Sequence, residues 1–372
     1  MPIILPVLFL AIGWLLLWRA PRLTSDRACA PPPGRLSVII PAFNEAGRIS
    51  PLLESLQRQT LPPTEVLVLD DGCTDDTVAV AQRLGAMVYA SGQRPAGWNG
   101  KTWACWQGAQ RSRGDLLVFL DADTWLADDG LQSLAQTQQR RGGLLSVQPY
   151  HVTRKPYEQL SAFFNIIAAT ALNSFTPFGE RSSPGGAYGP CMLCARADYF
   201  AVGGHAAVCN ETIEDIPLGQ RFARAGLPVS NYLGRGAVCF RMYPGGLGDL
   251  LQGHTKGFAY GALAIPIWMA LLLSAWITGC FSSAANLIRG LISAPLAPET
   301  LFRVGLYCAY VVQVAWMLRR LGRFQFWVAP LYPIPLTFFG LVMLRSLVMT
   351  RLLGRVTWKG RTIATRNGRA GA

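Results

Sequence analysis

The stretch Asp115-Leu-Leu-Val-Phe-Leu-Asp121-Ala-Asp123-Thr124-Trp125 constrains this chain more than any other. The apolar run between Asp115 and Asp121 reads as a strand buried on both faces, which belongs inside a parallel sheet. In an open α/β sheet, ligands collect beyond the carboxyl ends of strands. Asp121 and Asp123, one residue apart at such an end, can reach the same ion. Magnesium and manganese take oxygen ligands and are commonly held by one or two carboxylates plus substrate phosphates, so the pair points to a nucleoside diphosphate. A strand closed by an acidic turn is the plain alternative, and a D-x-D alone does not choose between them.

The residues before it repeat the pattern. Leu36-Ser-Val-Ile-Ile40 is a short β-branched run ending at Pro41-Ala-Phe-Asn44-Glu45, and Ile49, Leu52, Leu53 and Leu56 follow at helical spacing. Glu65-Val-Leu-Val-Leu69 is a second strand, closed by Asp70-Asp71-Gly72-Cys73-Thr74-Asp75-Asp76-Thr77. Gly72 permits a tight turn there, and Thr74 or Asp75 can cap the helix that starts near Thr77. Ala86 to Tyr89 is a third strand, and Trp98-Asn-Gly-Lys101 leads a helix through Ala109. Strand and helix alternate throughout, which predicts an α/β domain with a mostly parallel sheet. Acidic ends on two strands of one rim imply a site.

Further on, Tyr157 to Phe175 reads as an amphipathic helix at an interface or facing the core, not a span. Gly185-Gly-Ala-Tyr-Gly189-Pro-Cys191 is a glycine-rich loop feeding a strand. Glu214-Asp215 opens a helix carrying Leu218 and Phe222; by itself the acidic pair reads as a cap. His205 reads as a turn residue, whereas His254 precedes an apolar segment and could face a pocket. Trp98 and Trp103 could line an entrance for an apolar acceptor, with packing as the plain reading.

With 51% hydrophobic and only 15% charged residues and a mean hydropathy of +0.26, the chain does not suit a purely soluble enzyme. The apolar surplus is localised. Pro2 to Trp18 has no charge and is followed by Arg19, Arg22 and Arg27, so residues 1–18 read as an uncleaved anchor with the following domain in the cytoplasm. Residues 19–34, with Ala30-Pro-Pro-Pro-Gly34, form a stiff linker. Residues 35–250 are the α/β domain, and residues 251–350 a membrane region with apolar segments at 258–280, 301–318 and 326–349. Residues 351–372 are a basic tail.

Arg319, Arg320 and Arg323 mark a cytoplasmic loop, but four full crossings would then place the basic tail outside. Pro330, Pro333 and Pro335 therefore suggest that 326–349 is a re-entrant or broken hairpin. The net charge of +13 flanks the apolar segments instead of forming a groove, so the expected partner is anionic lipid and not nucleic acid. Nine cysteines with a single C-x-x-C and no histidine at zinc spacing give neither a disulfide framework nor a zinc site.

Taken in order, Pro41-Ala-Phe-Asn-Glu45, Val68-Leu-Asp-Asp71-Gly72, Asp121-Ala-Asp123 and Glu214-Asp215 resemble the motifs of family 2 glycosyltransferases, whose fold is called GT-A, across roughly Leu36 to Gly226. Gly97-Trp-Asn-Gly-Lys101-Thr-Trp-Ala-Cys105, Gln148-Pro-Tyr-His151, Leu160-Ser-Ala-Phe-Phe-Asn165, Tyr199-Phe-Ala-Val-Gly-Gly-His205 and Phe240-Arg-Met-Tyr-Pro244 extend the likeness over almost the whole chain. They resemble the diaponeurosporenoate glycosyltransferases of carotenoid (staphyloxanthin-type) synthesis. The resemblance implies a multi-pass enzyme of a bacterial-type inner membrane with its catalytic domain in the cytoplasm, taking a hexose, with glucose from UDP-glucose as the family-based expectation, to a lipid acceptor such as a carotenoid acid, with inversion.

By the same resemblance Asp71 contacts the uracil, while Pro41, Ala42 and Glu45 border base and ribose. Asp123 and Asp121 hold Mg2+ or Mn2+ on the diphosphate, and Asp215 is the catalytic base. Lys101 is added on charge alone, as a cation near the phosphates. Glu214, Trp98, Trp103 and His254 are candidates for the acceptor side. Cys73 stands where Ser is usual. Gln252-Gly-His-Thr-Lys256 lacks the Arg and Trp of the Q-x-x-R-W found in processive members, which argues against a polymer synthase. Another lipid acceptor (hopanoid, sphingolipid or diacylglycerol) and a non-catalytic membrane scaffold are the competing readings.

Overall fold

The run after Asp115 forms the middle strand of a seven-stranded sheet. The structure, a computed structural model, describes residues 4–26, 34–178, 184–261, 265–351, 355–358 and 361–364. In chain order its elements begin with α1 (Ile4–Leu16), β1 (Leu36–Ala42), α2 (Ile49–Gln57), β2 (Glu65–Asp70), α3 (Thr77–Arg83), β3 (Met87–Ala90) and α4 (Gly100–Arg111). Next come β4 (Leu116–Leu120), β5 (Thr124–Leu126), α5 (Gly130–Arg141), β6 (Leu144–Gln148), β7 (Tyr150–Val152), α6 (Ala162–Thr170), β8 (Cys191–Ala195) and α7 (Arg196–Ala201). The remainder is α8 (Asp215–Arg224), β9 (Val229–Leu233), β10 (Val238–Phe240), α9 (Leu247–Gly261), α10 (Ile267–Ser293), α11 (Pro298–Leu321), β11 (Gly322–Arg323), α12 (Pro333–Arg351), β12 (Arg355–Trp358) and β13 (Arg361–Ala364).

Two compact units result: Ala20–His151 with Glu180–Arg241, and Met1–Arg19 with Val152–Gly179 and Met242–Ala372. In the first, the sheet order is β3-β2-β1-β4-β8-β6-β9. The sheet is mostly parallel; β8 alone runs against both neighbours. Side chains alternate along the central strands. Val38, Ile40, Val118 and Leu120 face a core with Leu52 and Leu56 of α2 and Leu134 of α5. Ile39, Leu117 and Phe119 face the opposite core, with Ala104, Cys105 and Ala109 of α4 and Phe222 of α8. Both faces are covered, so the strands had to be apolar runs, each large side chain contributing about 1.5–3 kcal/mol on burial.

α4 lies so close to the sheet that a Cβ on Gly108 would stand 2.5 Å from Ile39 Cγ2. The parallel register, with Ala42 opposite Asp70 and Val38 opposite Val118, brings the carboxyl ends of β1, β2 and β4 to one rim. β8 starts at that rim, where Cys191 pairs with Leu120. β10 joins β5 and β7 in a small second sheet and thereby fixes the turn between β4 and β5.

The second unit is helical. α10 and α11 run antiparallel, held by a Trp276 Nε1 to Gln313 Oε1 hydrogen bond of 2.8 Å. α1 packs on them, with Gln313 Nε2 donating to Leu10 O and Tyr310 OH to Pro6 O. Gly13 and Gly279 stand at the contact, where any Cβ would collide with a neighbouring helix. α10, α11 and Pro333–Thr350 of α12 are long and apolar enough to cross a membrane, by length and composition.

Three expectations need amendment. α1 has 13 residues and rises about 20 Å, less than a bilayer's hydrocarbon core. The segment expected at 258–280 is α10 at 267–293, with Pro266 at its cap position. Residues 157–175 are buried nearly all round and not amphipathic, packing within the helical unit as Phe163 does on Trp276. Pro330, Pro333 and Pro335 precede α12 or fall in its first turn, where proline suits a helix start, so a hairpin within 326–349 turns ahead of α12 and not inside it. Most of the proline linker (27–33) and much of the tail lie outside the described residues.

Candidate active site

The rim gathers the acidic loops. After β1, the chain turns at Asn44, whose φ of 54° is rare for a residue other than glycine. The turn is locked to the loop after β2: Asp71 N donates to Ala42 O, Thr74 N to Asn44 Oδ1 and Glu45 N to Thr77 Oγ1. Pro41, Ala42, Glu45 and Asp71 are thus neighbours. Asp75 Oδ1 accepts from Thr77 N at the start of α3, whose cap position is taken by Asp76 without a side-chain hydrogen bond. Asp71 lies beside Arg94, at 4.0 Å, and against the N-terminus of α4, where a Cβ on Gly100 would strike its carboxylate. Only glycine permits that approach.

Asp121 and Asp123 occupy the turn between β4 and β5, pinned by Thr124 N to Asp121 O and Arg241 N to Asp123 O. Burial first, then the charges of Asp121 and Glu45, push the Asp123 carboxyl up to about 7. The turn therefore holds more negative charge than it can comfortably ionise, which is what a site for a cation provides before the cation arrives. Among the described residues no group of three His, Cys, Asp or Glu side chains could hold a metal ion. A pair of carboxylates fits a divalent ion only with the oxygens of a substrate, which is the usual state of magnesium or manganese on a diphosphate.

Lys101 ties this turn to the acidic pair ahead of α8. Its Nζ is 2.8 Å from Asp121 Oδ1 and 2.9 Å from Glu214 Oε1. Burial works against its charge, but Asp121 and Glu214 outweigh that and hold the ammonium well above the usual lysine value. Burial likewise opposes the charge on Glu214, and Lys101 overcomes it, keeping the carboxyl low. Glu214 stands in the cap position of α8, yet its side chain makes no cap hydrogen bond. The capping role expected for the pair is replaced, for Glu214, by a buried ion pair.

Asp215 Oδ2 accepts from Gly189 N at 2.6 Å and its Oδ1 from Ile216 N at 3.0 Å. Burial first, then Glu214, pushes its carboxyl up to about 7. Asp215 is thus poised to take a proton near neutrality. Sequence reasoning did not single out Gly189 as its partner, although the glycine-rich loop was visible; Arg94 gave no signal at all.

Of the other candidates, Trp98 packs edge-on to Trp103 at 5.0 Å and also meets Trp106, while Trp103 Nε1 donates to Ser91 O. This is a packed aromatic cluster beside the rim. His205 is buried behind it, its Nδ1 paired with Tyr199 OH, and burial pushes its imidazole down to about 4. It is therefore neutral, leaving Lys101 as the cation that acts on Glu214. His254 belongs to the helical unit, where it is buried, stacks on Phe164 at 3.7 Å and bonds Ser161 Oγ at 3.0 Å.

Comparison with known proteins identifies the family and the fold. Residues 37–197 match the family described as glycosyl transferase family 2. The chain is 36% identical over 330 residues to a 4,4'-diaponeurosporenoate glycosyltransferase of Staphylococcus aureus, covering 88% of this chain and 87% of that protein. A mannosyltransferase from Pyrobaculum calidifontis, solved with GDP-mannose and Mn2+, superposes with a TM-score of 0.50 at 17% identity, covering 89% of this chain and 94% of the other. The chain belongs to the family 2 glycosyltransferases and carries their GT-A fold, with apolar helices fitted to a membrane.

Proposed function

We propose that this enzyme transfers glucose from UDP-glucose to the carboxylate of a carotenoid acid, with inversion at the anomeric carbon, on the cytoplasmic side of a bacterial-type inner membrane. The observation that carries the reading is the cluster of Asp121, Lys101, Glu214 and Asp215 at the carboxyl rim, in a chain 36% identical to a 4,4'-diaponeurosporenoate glycosyltransferase. Pro41, Ala42, Glu45 and Asp71 take the base and ribose. Asp121 and Asp123 hold a divalent cation on the diphosphate, as the Mn2+ complex of the Pyrobaculum enzyme makes reasonable. The chemistry such a cation supplies is neutralisation of the charge that develops on the leaving diphosphate.

The chain's own residues do the rest. Lys101 is placed to exchange Asp121 for a diphosphate oxygen while keeping Glu214. The acceptor oxygen attacks the anomeric carbon from the face opposite the diphosphate; the new C–O bond forms as the bond to phosphate breaks, and UDP leaves. A hydroxyl acceptor must lose a proton, and Asp215 is placed to receive it. A carboxylic acceptor, with a pKa of about 4.3 like that of Glu, is already ionised. For that acceptor, Asp215 orients the reactants. Incubating membranes that contain the enzyme with radiolabelled UDP-glucose and identifying the labelled lipid by mass spectrometry tests the reading. A glycosyl ester of a carotenoid acid supports it; label only in a hopanoid, sphingolipid or diacylglycerol, or none at all, rejects it.

A further inference from the structure

We infer that Phe324–Arg351 is a re-entrant hairpin: it dips into the bilayer from the end of the helical unit that bears Arg319, Arg320 and Arg323 and returns to that same end. α10 and α11 are then the antiparallel crossing pair. The basic end meets anionic headgroups. The contacts that define the hairpin all lie within the helical unit and do not depend on the substrate proposed above.

The depth scale is set by α11. Its Leu321 end is the near end, and the turn at Ala294–Ala297 that joins it to α10 is the far end. Trp276 meets Gln313 near the upper part of the pair, and a Cβ on Gly290 would meet Arg303 and Thr300 near the bottom. Immediately after α11, the chain is still at the near end. Arg323 O accepts from Thr153 Oγ1, and Gln325 N donates to Gln159 Oε1. It then descends. Tyr307 OH donates to Pro330 O, the Tyr307 and Tyr332 rings stack at 5.1 Å, and Tyr332 OH donates to Cys280 O and pairs with Ser283 Oγ. At 1.5 Å of rise per residue, the level of Tyr307 is about 21 Å below Leu321.

α12 starts at that depth and goes back. Its residues Phe338 and Phe339 pack on Phe164, beside the buried His254. Further along, Ser346 Oγ donates to Thr255 O of α9. His254, next to Thr255, is hydrogen-bonded to Ser161, two residues from the Gln159 that holds Gln325. The two limbs of the hairpin are thus tied to one patch made by residues 153–161 and α9. A crossing helix would instead begin at the near end and finish level with Ala294–Ala297. Tyr307 is still about 14 Å short of that level.

Charge follows the same division. Lys256, Arg319, Arg320, Arg323 and Arg345 stand at the near end; the far end has Arg289 and Arg303 with Glu299. A spanning α12 would carry Arg345 to the far end, against the bias of basic residues toward the cytoplasmic face. The hairpin keeps it with the others, where an anionic leaflet attracts each by about 1 kcal/mol. It also resolves the parity conflict raised by the basic tail.

Single cysteines introduced as Arg320→Cys, Leu296→Cys and Ala372→Cys in the full chain test this. Each is probed with a membrane-impermeant maleimide in right-side-out and inverted vesicles, with labelling of the parent chain subtracted. Arg320→Cys and Ala372→Cys are expected to label from one side and Leu296→Cys from the other. Ala372→Cys labelling together with Leu296→Cys overturns the hairpin. Should Ala372→Cys stay silent, fluorescent-protein and alkaline-phosphatase fusions at Ala372 report the side of the tail instead. Agreement with Arg320 supports the hairpin and disagreement rejects it.

Discussion

Asp215 and Glu214 are adjacent carboxylates driven apart by their surroundings: Lys101 keeps one charged, and burial keeps the other protonated up to about 7. Asp215→Asn should therefore cut transfer to a hydroxyl acceptor by about 10²- to 10⁴-fold while reducing transfer to a carboxylate acceptor much less. Steady-state rates with one acceptor of each kind check this, and equal losses contradict the division of roles. For a hydroxyl acceptor the rate should rise with pH through about 7, as Asp215 ionises. Stability runs the other way. Its folded pKa lies above the unfolded value near 3.9, so between those values the native state holds the extra proton and stability falls as pH rises. Thermal melts should show Asp215→Asn more stable than the parent at pH 8 and no different at pH 4. Lys101→Met should strand buried Glu214 and cost up to about 3–5 kcal/mol, most of it recovered in Lys101→Met/Glu214→Gln, as denaturant titrations would show. The Asp121-Ala-Asp123 pair was legible because a strand end and two carboxylates are local features. The Lys101–Glu214 pair was not, because 113 residues separate them and only the packing of α4 and α8 brings them together.

Elements explain why Lys101 arrives where it does. Asn99 caps α4 by accepting from Lys101 N, and Gly108 lets the helix lie against Ile39 and Leu69. Gly108→Val should overpack this contact, costing about 1–3 kcal/mol and shifting α4 outward. Loss of donor affinity beyond the loss of stability, read by nucleotide titration of folded protein, is the expected sign; unchanged affinity would mean that α4 does not position the cation. The strands of the sheet were readable as apolar runs because both faces are covered. The helical unit was harder: in 157–175 the polar Ser161, Asn165 and Asn173 interrupt an apolar run and suggest a polar face, whereas Ser161 and Asn165 are buried and hydrogen-bonded, and prolines that start α12 look in sequence like prolines that break it.

At the scale of the whole molecule, a GT-A unit and an apolar helical unit share one chain, and the composition anticipated both. What it could not give was the path of the chain within the apolar part, since a window of hydropathy counts residues and not directions. The central claim is that the acidic rim binds a sugar nucleotide through a cation. Calorimetric titration of UDP into the detergent-solubilised full chain, with and without Mn2+, tests it most directly. We predict saturable binding that requires Mn2+ and disappears in Asp123→Asn; UDP binding of equal strength without the metal, or retained in Asp123→Asn, would contradict the account.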